Sequence, residues 1–232
     1  MITTVPIKNE KDIAVPDKTV LVLGYFDGVH KGHQKLFEVA TKASMKDYLP
    51  VVVMTFTESP KLALQPYHPD LMLHIVNHQE REQKLKWHGV EELFLLDFSS
   101  KFASLTAQEF FDTYIKALKP AIIVAGFDYT FGSDKKTADD LKDYFDGEII
   151  IVPPVEDEKG KISSTRIRQA ILDGDVREAG HLLGTPLPSR GMVVHGNARG
   201  RTIGYPTANL VLRDRTYMPA DGVYVVDIEV QR

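Results

Sequence analysis

Apolar residues in this chain gather in short unbroken runs, with helical spacing in the stretches between. Residues 20–23 (VLVL), 51–56 (VVVMTF), 93–96 (LFLL), 121–125 (AIIVA) and 148–152 (EIIIV) each have the length of a strand and show no polar alternation. Strands of that kind are covered on both faces, as in a parallel sheet between two layers of helix. After the first run, Leu36, Val39, Ala40 and Ala43 recur at three- and four-residue steps and predict a helix over 32–46. Residues 79–88 read as a second helix, stopped at Gly89. Thr106 with Glu109 is a capping-box pattern opening a helix that holds Phe110, Phe111, Tyr114, Ile115 and Leu118. A shorter helix is expected over 137–144, and Pro16-Asp17 separates an N-terminal segment from the first strand. Strand and helix alternate five times, which predicts a doubly wound α/β domain with a mainly parallel sheet.

The pattern changes in the last third. Residues 162–168 open a helix with Ser163, Ser164 and Thr165 as candidate caps. A second helix, capped by Asp175 and ended by Gly184, carries Val176, Ala179, Leu182 and Leu183. Pro186 and Pro188 mark a linker, and beyond it short apolar runs are broken by glycine, Pro206 and Pro219. This is strand-and-turn sequence, with a last strand expected around Val223, Val225 and Ile228. The expected division is 1–185 for the α/β domain and 186–232 for an all-β one. The second stretch is too short for a closed barrel of about six strands.

Composition narrows the class. Hydrophobic residues at 43% and charged residues at 26% are those of a globular protein. A formal net charge of −4 argues against a general nucleic-acid binder. No segment approaches a membrane span and the N-terminus lacks a signal-peptide core, so a cytoplasmic protein without membrane partners is expected. The absence of cysteine leaves oxygen and imidazole as metal ligands. Nothing in the composition fixes the oligomeric state.

Candidate chemistry sits after strand ends, where ligands bind in doubly wound sheets. GYFDGVHKGH (24–33) follows the first strand, TESP (57–60) the second, GFDYTFG (126–132) the fourth, and a charged loop leading to ISSTRIR (162–168) the fifth. His30 and His33, three residues apart at a helix start, share one face and can converge on an anion there. The bland reading is a pair of surface histidines or metal ligands. Hydroxyls at the second helix start, with Arg168 as a fixed-charge fork, suit phosphate oxygens. Alone, they read equally as a serine-rich cap with two solvated arginines. Phe127, Tyr129 and Phe131 could stack on a flat ring with Asp128 as acceptor, or simply belong to the core.

The first of these segments resembles the H-x-G-H nucleotidyltransferases. More narrowly, GYFDGVHKGH is similar to the first motif of the prokaryotic bifunctional riboflavin kinase/FAD synthetase family, ISSTRIR to its I-S-S-T-x-I-R motif and GFDYTFG to its G-x-D-F-x-F-G segment. Gly204-Tyr205-Pro206-Thr207-Ala208-Asn209 resembles the flavokinase G-x-P-T-A-N motif. The resemblance implies an FMN adenylyltransferase that moves AMP from ATP to FMN, giving FAD and pyrophosphate with Mg²⁺. Its catalytic residues would be His30, His33, Ser164, Thr165 and Arg168. ATP would also meet Gly24, Tyr25, Phe26, Asp27, Gly28 and Ser163, and the flavin would meet Phe56, Gly126, Phe127, Asp128, Tyr129 and Phe131. In the second part Gly204, Pro206, Thr207 and Asn209 would serve a riboflavin kinase, with Thr207 and Asn209 as Mg²⁺ ligands.

Three departures from the pattern stand out. Tyr25 replaces an asparagine, Ser59 stands where relatives often carry histidine, and the sequence stops inside an expected strand. The last implies an incomplete flavokinase barrel and no riboflavin kinase activity from these residues alone. Two alternatives stay open: a transferase of the same fold acting on another phosphorylated acceptor, and a non-catalytic flavin- or nucleotide-binding protein.

Overall fold

The structure, a computed structural model, describes residues 2–7, 10–15, 18–197, 199–212 and 214–230. The expected break at Pro16-Asp17 lies outside the described residues. Six parallel strands form the main sheet: β1 (Thr3–Ile7), β2 (Thr19–Leu23), β3 (Val51–Phe56), β4 (Glu92–Leu96), β5 (Pro120–Gly126) and β6 (Glu148–Val152). Their order across the sheet is β1-β4-β3-β2-β5-β6. The chain winds outward from β2 in both directions, and the reversal falls between β2 and β5. The doubly wound expectation holds, with one strand more than the periodicity announced. Residues 3–7 (TTVPI) contain Pro6, which cannot donate to a ladder and is tolerated only at an edge. β1 is that edge, pairing β4 alone among the described strands.

Helices α1 (Lys31–Ser44) and α2 (His78–Trp87) flank the sheet; α3 (Ser164–Leu172) and α4 (Val176–Leu183) follow β6. Because successive strand residues face opposite ways, β2 and β3 feed two cores. Leu21, Leu23, Val52 and Met54 meet Phe110, Phe111 and Ile115 on one face. Val20, Val22, Val51 and Val53 meet Phe37, Ala40 and Leu85 on the other. The Thr106–Glu109 capping box is present, with reciprocal bonds of 3.2 and 2.8 Å. The helix it opens is not uniform: an α turn (Ala107–Phe110) widens to a π turn (Phe111–Ile115) and tightens to a 3₁₀ turn (Lys116–Leu118). The helix expected over 137–144 is also 3₁₀, at Ala138–Asp143.

Past the linker, β7 (Gly191–Val194) and β8 (Asn209–Leu212) form an antiparallel pair. The strand expected around 223–228 does not form: residues 223–230 carry no regular structure, and Val223, Val225, Val226, Ile228 and Val230 are exposed. A strand's amides need a neighbour, and no described strand lies alongside to accept them. Residues 214–217 instead return to the first part. Thr216 bridges His74, the His74 amide donates to the Arg215 carbonyl (2.8 Å), and the Tyr217 amide donates to the His74 carbonyl (2.9 Å). Tyr217 thus joins a core with Ile75, Val76, Ile167 and Ile171.

Candidate active site

The loop from β2 to α1 turns through two successive left-handed residues, Gly28 (φ 82°) and Val29 (φ 48°). Glycine meets the first at no steric cost, and a Cβ there would also press on Ile75 and Leu183. A β-branched residue in the second is strained, and Val29 is held there fully buried, its carbonyl accepting from Gln34 Nε2 at 2.9 Å. The turn delivers His30 as the N-cap of α1, its Nδ1 accepting the His33 amide N–H at 3.3 Å. In the neutral ring the proton then sits on Nε2, a donor. The two imidazoles stack at 3.7 Å, and Phe26 meets His33 edge-on at 5.2 Å. Burial first, then the charge of Lys161, lowers the His30 pKa to about 4. Burial and the neighbouring His30 hold His33 well below its usual value. Both rings are neutral at pH 7. His33 Nδ1 is buried and has no hydrogen-bond partner among the described residues.

The helix start at α3 faces this loop. Ser163 is the N-cap, its Oγ accepting the Arg166 amide at 3.3 Å, and Ser164 Oγ donates to the Asp27 carbonyl at 3.2 Å. Arg168 Nη2 meets Asp27 Oδ2 at 2.8 Å, while Asp27 Oδ1 accepts the Ile75 amide at 2.9 Å. Asp27, 2% exposed, therefore knots three segments together behind the wall. The Nε of Arg168 is buried and unpartnered among the described residues. Arg166, the other arginine of ISSTRIR, is not solvated: it grips Asp157 through two 2.7 Å bonds and also meets Glu178 at 2.5 Å.

One cavity of about 810 Å³ unites the two motifs at the carboxyl ends of β2, β5 and β6. Its lining includes Gly24, Tyr25, Phe26, His30 and His33 from the first motif, and Ser163, Ser164, Thr165 and Arg168 from the second. Phe56, Gly126, Phe127, Asp128, Tyr129 and Phe131 line it as well. Asp27 and Gly28 do not; they shape the wall from behind. Among the aromatics, Phe127 is exposed, whereas Phe131 is buried in the core and stacked on Tyr129 at 5.8 Å. Asp128 is already paired through one oxygen, because Lys161 Nζ lies 2.5 Å from its Oδ2 and 4.3 Å over the Phe127 ring. The sequence reading missed Lys161; a lone lysine in a charged loop carries no signal until the fold sets it opposite GFDYTFG. The Tyr25 hydroxyl bonds His74 Nδ1 at 3.2 Å, and burial, then Asp27, raises its pKa above the usual range.

Gly204, Pro206, Thr207 and Asn209 are exposed and none lines this cavity. The Asn209 amide packs so closely over Gly196 that a side chain at 196 would collide with it. Tyr217, absent from the sequence-based site, lies with its ring 5.9 Å from the Arg168 guanidinium carbon and its hydroxyl donating to the Asp70 carbonyl at 3.1 Å.

A parallel α/β sheet with an imidazole pair and a hydroxyl-arginine helix start facing one cleft at its switch point defines a nucleotidyltransferase-like protein. Residues 12–166 match the FAD synthetase family and residues 183–232 the riboflavin kinase family. The chain is 38% identical over 214 residues to the bifunctional riboflavin kinase/FMN adenylyltransferase of Listeria monocytogenes serovar 1/2a, covering 91% of this chain and 68% of that protein. It is 40% identical over 218 residues to the protein of the same name from Bacillus subtilis strain 168, covering 92% and 68%. The chain belongs to this bifunctional riboflavin kinase/FMN adenylyltransferase family. A solved structure described as a macrolide-efflux protein from Streptococcus pneumoniae is 78% identical, with a TM-score of 0.95 over 100% of this chain and 76% of that one. In this chain no helix among the described residues is long and apolar enough to cross a membrane.

Proposed function

We propose that the cavity holds ATP and FMN together and that His30, His33, Ser164, Thr165 and Arg168 carry adenylyl transfer between them. An oxygen of the FMN phosphate attacks the α-phosphorus of ATP in line. The bond from that phosphorus to the β-phosphate oxygen breaks, leaving FAD and pyrophosphate. No side chain becomes covalently attached. The neutral imidazoles donate N–H bonds where charge builds on the departing pyrophosphate, and the amides at the start of α3 with Arg168 neutralise the phosphates. Preorganisation of this kind lowers a barrier without a nucleophile. Phe127, with Lys161 above it, offers a stacking face to the isoalloxazine ring.

Asp27 has both oxygens engaged and Asp128 is paired with Lys161. Those walls suit an ion carried in on the triphosphate rather than caged by carboxylates. Mg²⁺ bound in that way would supply charge neutralisation at the phosphates. Thr207 and Asn209 offer neutral oxygens of the kind such an ion takes in the kinase half, with Gly204 and Pro206 shaping the loop. We divide the chain at 185/186, the first part for adenylyl transfer, and we assign the reaction to the cytoplasm, where ATP is available.

The observation that carries this reading is the Asp27 knot, which fixes both motifs to the same wall through Ser164 and Arg168. Incubation with ATP, Mg²⁺ and FMN, followed by chromatography of the flavins and a pyrophosphate assay, tests it. FAD and pyrophosphate should appear in equal amounts. Tight binding of both substrates with neither product would make this a sensor instead.

A further inference from the structure

Behind Tyr25 lies a cluster that the adenylyl-transfer reading does not use. Glu58, just past β3, meets His74 from the following loop and His78 from the first turn of α2. One ligand-type atom from each lies within 4.8 Å of the others. The closest pair is His74 Nε2 and Glu58 Oε2, 3.2 Å apart. Two ligands each about 2.0–2.1 Å from a tetrahedral zinc ion stand roughly 3.3 Å apart, so this pair is already at coordination spacing.

Both members of that pair are braced from behind. His74 Nδ1 faces the Tyr25 hydroxyl at 3.2 Å, and Nε2 donates to Glu58 in the neutral ring; an ion taken up here would displace that proton, with Nδ1–H then donating to the Tyr25 oxygen. The other oxygen of Glu58 meets Arg215 Nη2 at 2.5 Å. These are the outer contacts that orient an imidazole and a carboxylate on a metal. His78 is exposed, and its ligand-type atom already lies within 4.8 Å of those of the other two. Its Nδ1 meets Arg81 Nη2 at 3.2 Å, and Arg81 also bonds the Phe56 carbonyl at 3.0 Å. Arg215 is paired with Glu58, and Arg81 lies in the field of Asp27 and Glu58. A second cavity, of about 560 Å³, borders His74, His78, Asn77, Asp214 and Arg215, so the two imidazoles face open space while Glu58 stands behind its wall.

We propose that Glu58, His74 and His78 form a binding site for a divalent first-row transition ion, zinc foremost, separate from the nucleotide cavity. Two imidazoles and one carboxylate favour zinc over the hard ions that take oxygen alone. Arg215 braces Glu58 and Thr216 pairs with His74. A bound ion therefore clamps the returning segment 214–217 to the first part of the chain.

The test is a zinc titration of the whole untagged chain, stripped of metal, against a chromophoric chelator, with cobalt as a spectroscopic probe. One equivalent should bind at micromolar affinity or tighter, with the visible absorption of tetrahedral cobalt. His78→Ala, an exposed position that leaves the core intact, and Glu58→Gln should each weaken binding about 100-fold or more and abolish the cobalt bands. Tyr25→Phe, which removes only the outer contact to His74, should weaken it by roughly 10-fold. Failure of the parent chain to compete with the chelator would overturn the proposal. So would zinc affinity and cobalt bands left unchanged by His78→Ala and Glu58→Gln.

Discussion

His33 brings a buried, unpartnered ring nitrogen and a strongly lowered pKa to the wall of the cavity. Removing a donor of that kind from a developing negative charge costs about 10²–10³ in rate. His33→Ala should lower FAD formation by that factor in a saturating assay, with ATP and FMN binding weakened far less. The same burial has a consequence for stability. His30 and His33 bind protons less readily folded than unfolded, where the ordinary value is about 6.5. Between that value and the His30 pKa of about 4, the unfolded chain holds more protons, so stability is full above pH 6.5 and falls as pH drops through this window. The slope is up to about 1.4 kcal/mol per pH unit for each histidine. Denaturant titrations at pH 7, 6 and 5 should show this loss, and His33→Ala should flatten it. Arg168 has two tasks, since it also neutralises Asp27. Arg168→Ala should cost about 3–5 kcal/mol of stability by stranding that buried carboxylate, and its lost activity must be read at a temperature where it is folded.

At the scale of elements, the sequence declared what depends on local pattern and hid what depends on neighbours. Val51–Phe56 and Glu148–Val152 coincide with their apolar runs, because a strand covered on both faces needs nothing else to be recognised. β1 was illegible because Pro6 is acceptable only once the strand is known to be an edge. The π and 3₁₀ turns of 111–118 share the apolar spacing of an α-helix, so periodicity could not separate them. The two motifs were legible as strings, but Asp27 read as a ligand when it is the knot behind them. The turn that serves them offers its own test. Gly28→Ala forces a side chain into a left-handed position against Ile75, and a loss of at least about 1–2 kcal/mol is expected in thermal or chemical denaturation.

Across the whole molecule, the linker at Pro186 and Pro188 suggests two bodies, yet the chain crosses back at 214–217. Nothing local marks that return: Tyr217 sits in a polar stretch, and only the fold sets it among Ile75, Val76 and Ile167. Its ring faces the Arg168 guanidinium at 5.9 Å, within the range of a cation–π contact. Tyr217 thus holds from the second part of the chain an arginine assigned to chemistry in the first. A contact of this kind contributes about 1 kcal/mol, roughly a five-fold effect if it is lost only when Arg168 meets charge in the transition state. Tyr217→Leu fills most of the same space without a π face, so it should lower kcat for FAD formation about five-fold while changing KM little. Tyr217→Phe keeps the ring and loses only the bond to the Asp70 carbonyl, so its turnover should match the parent's, with about 1 kcal/mol less stability. Equal kcat for the leucine and phenylalanine variants would mean that the returning segment packs against the first part without steering its arginine.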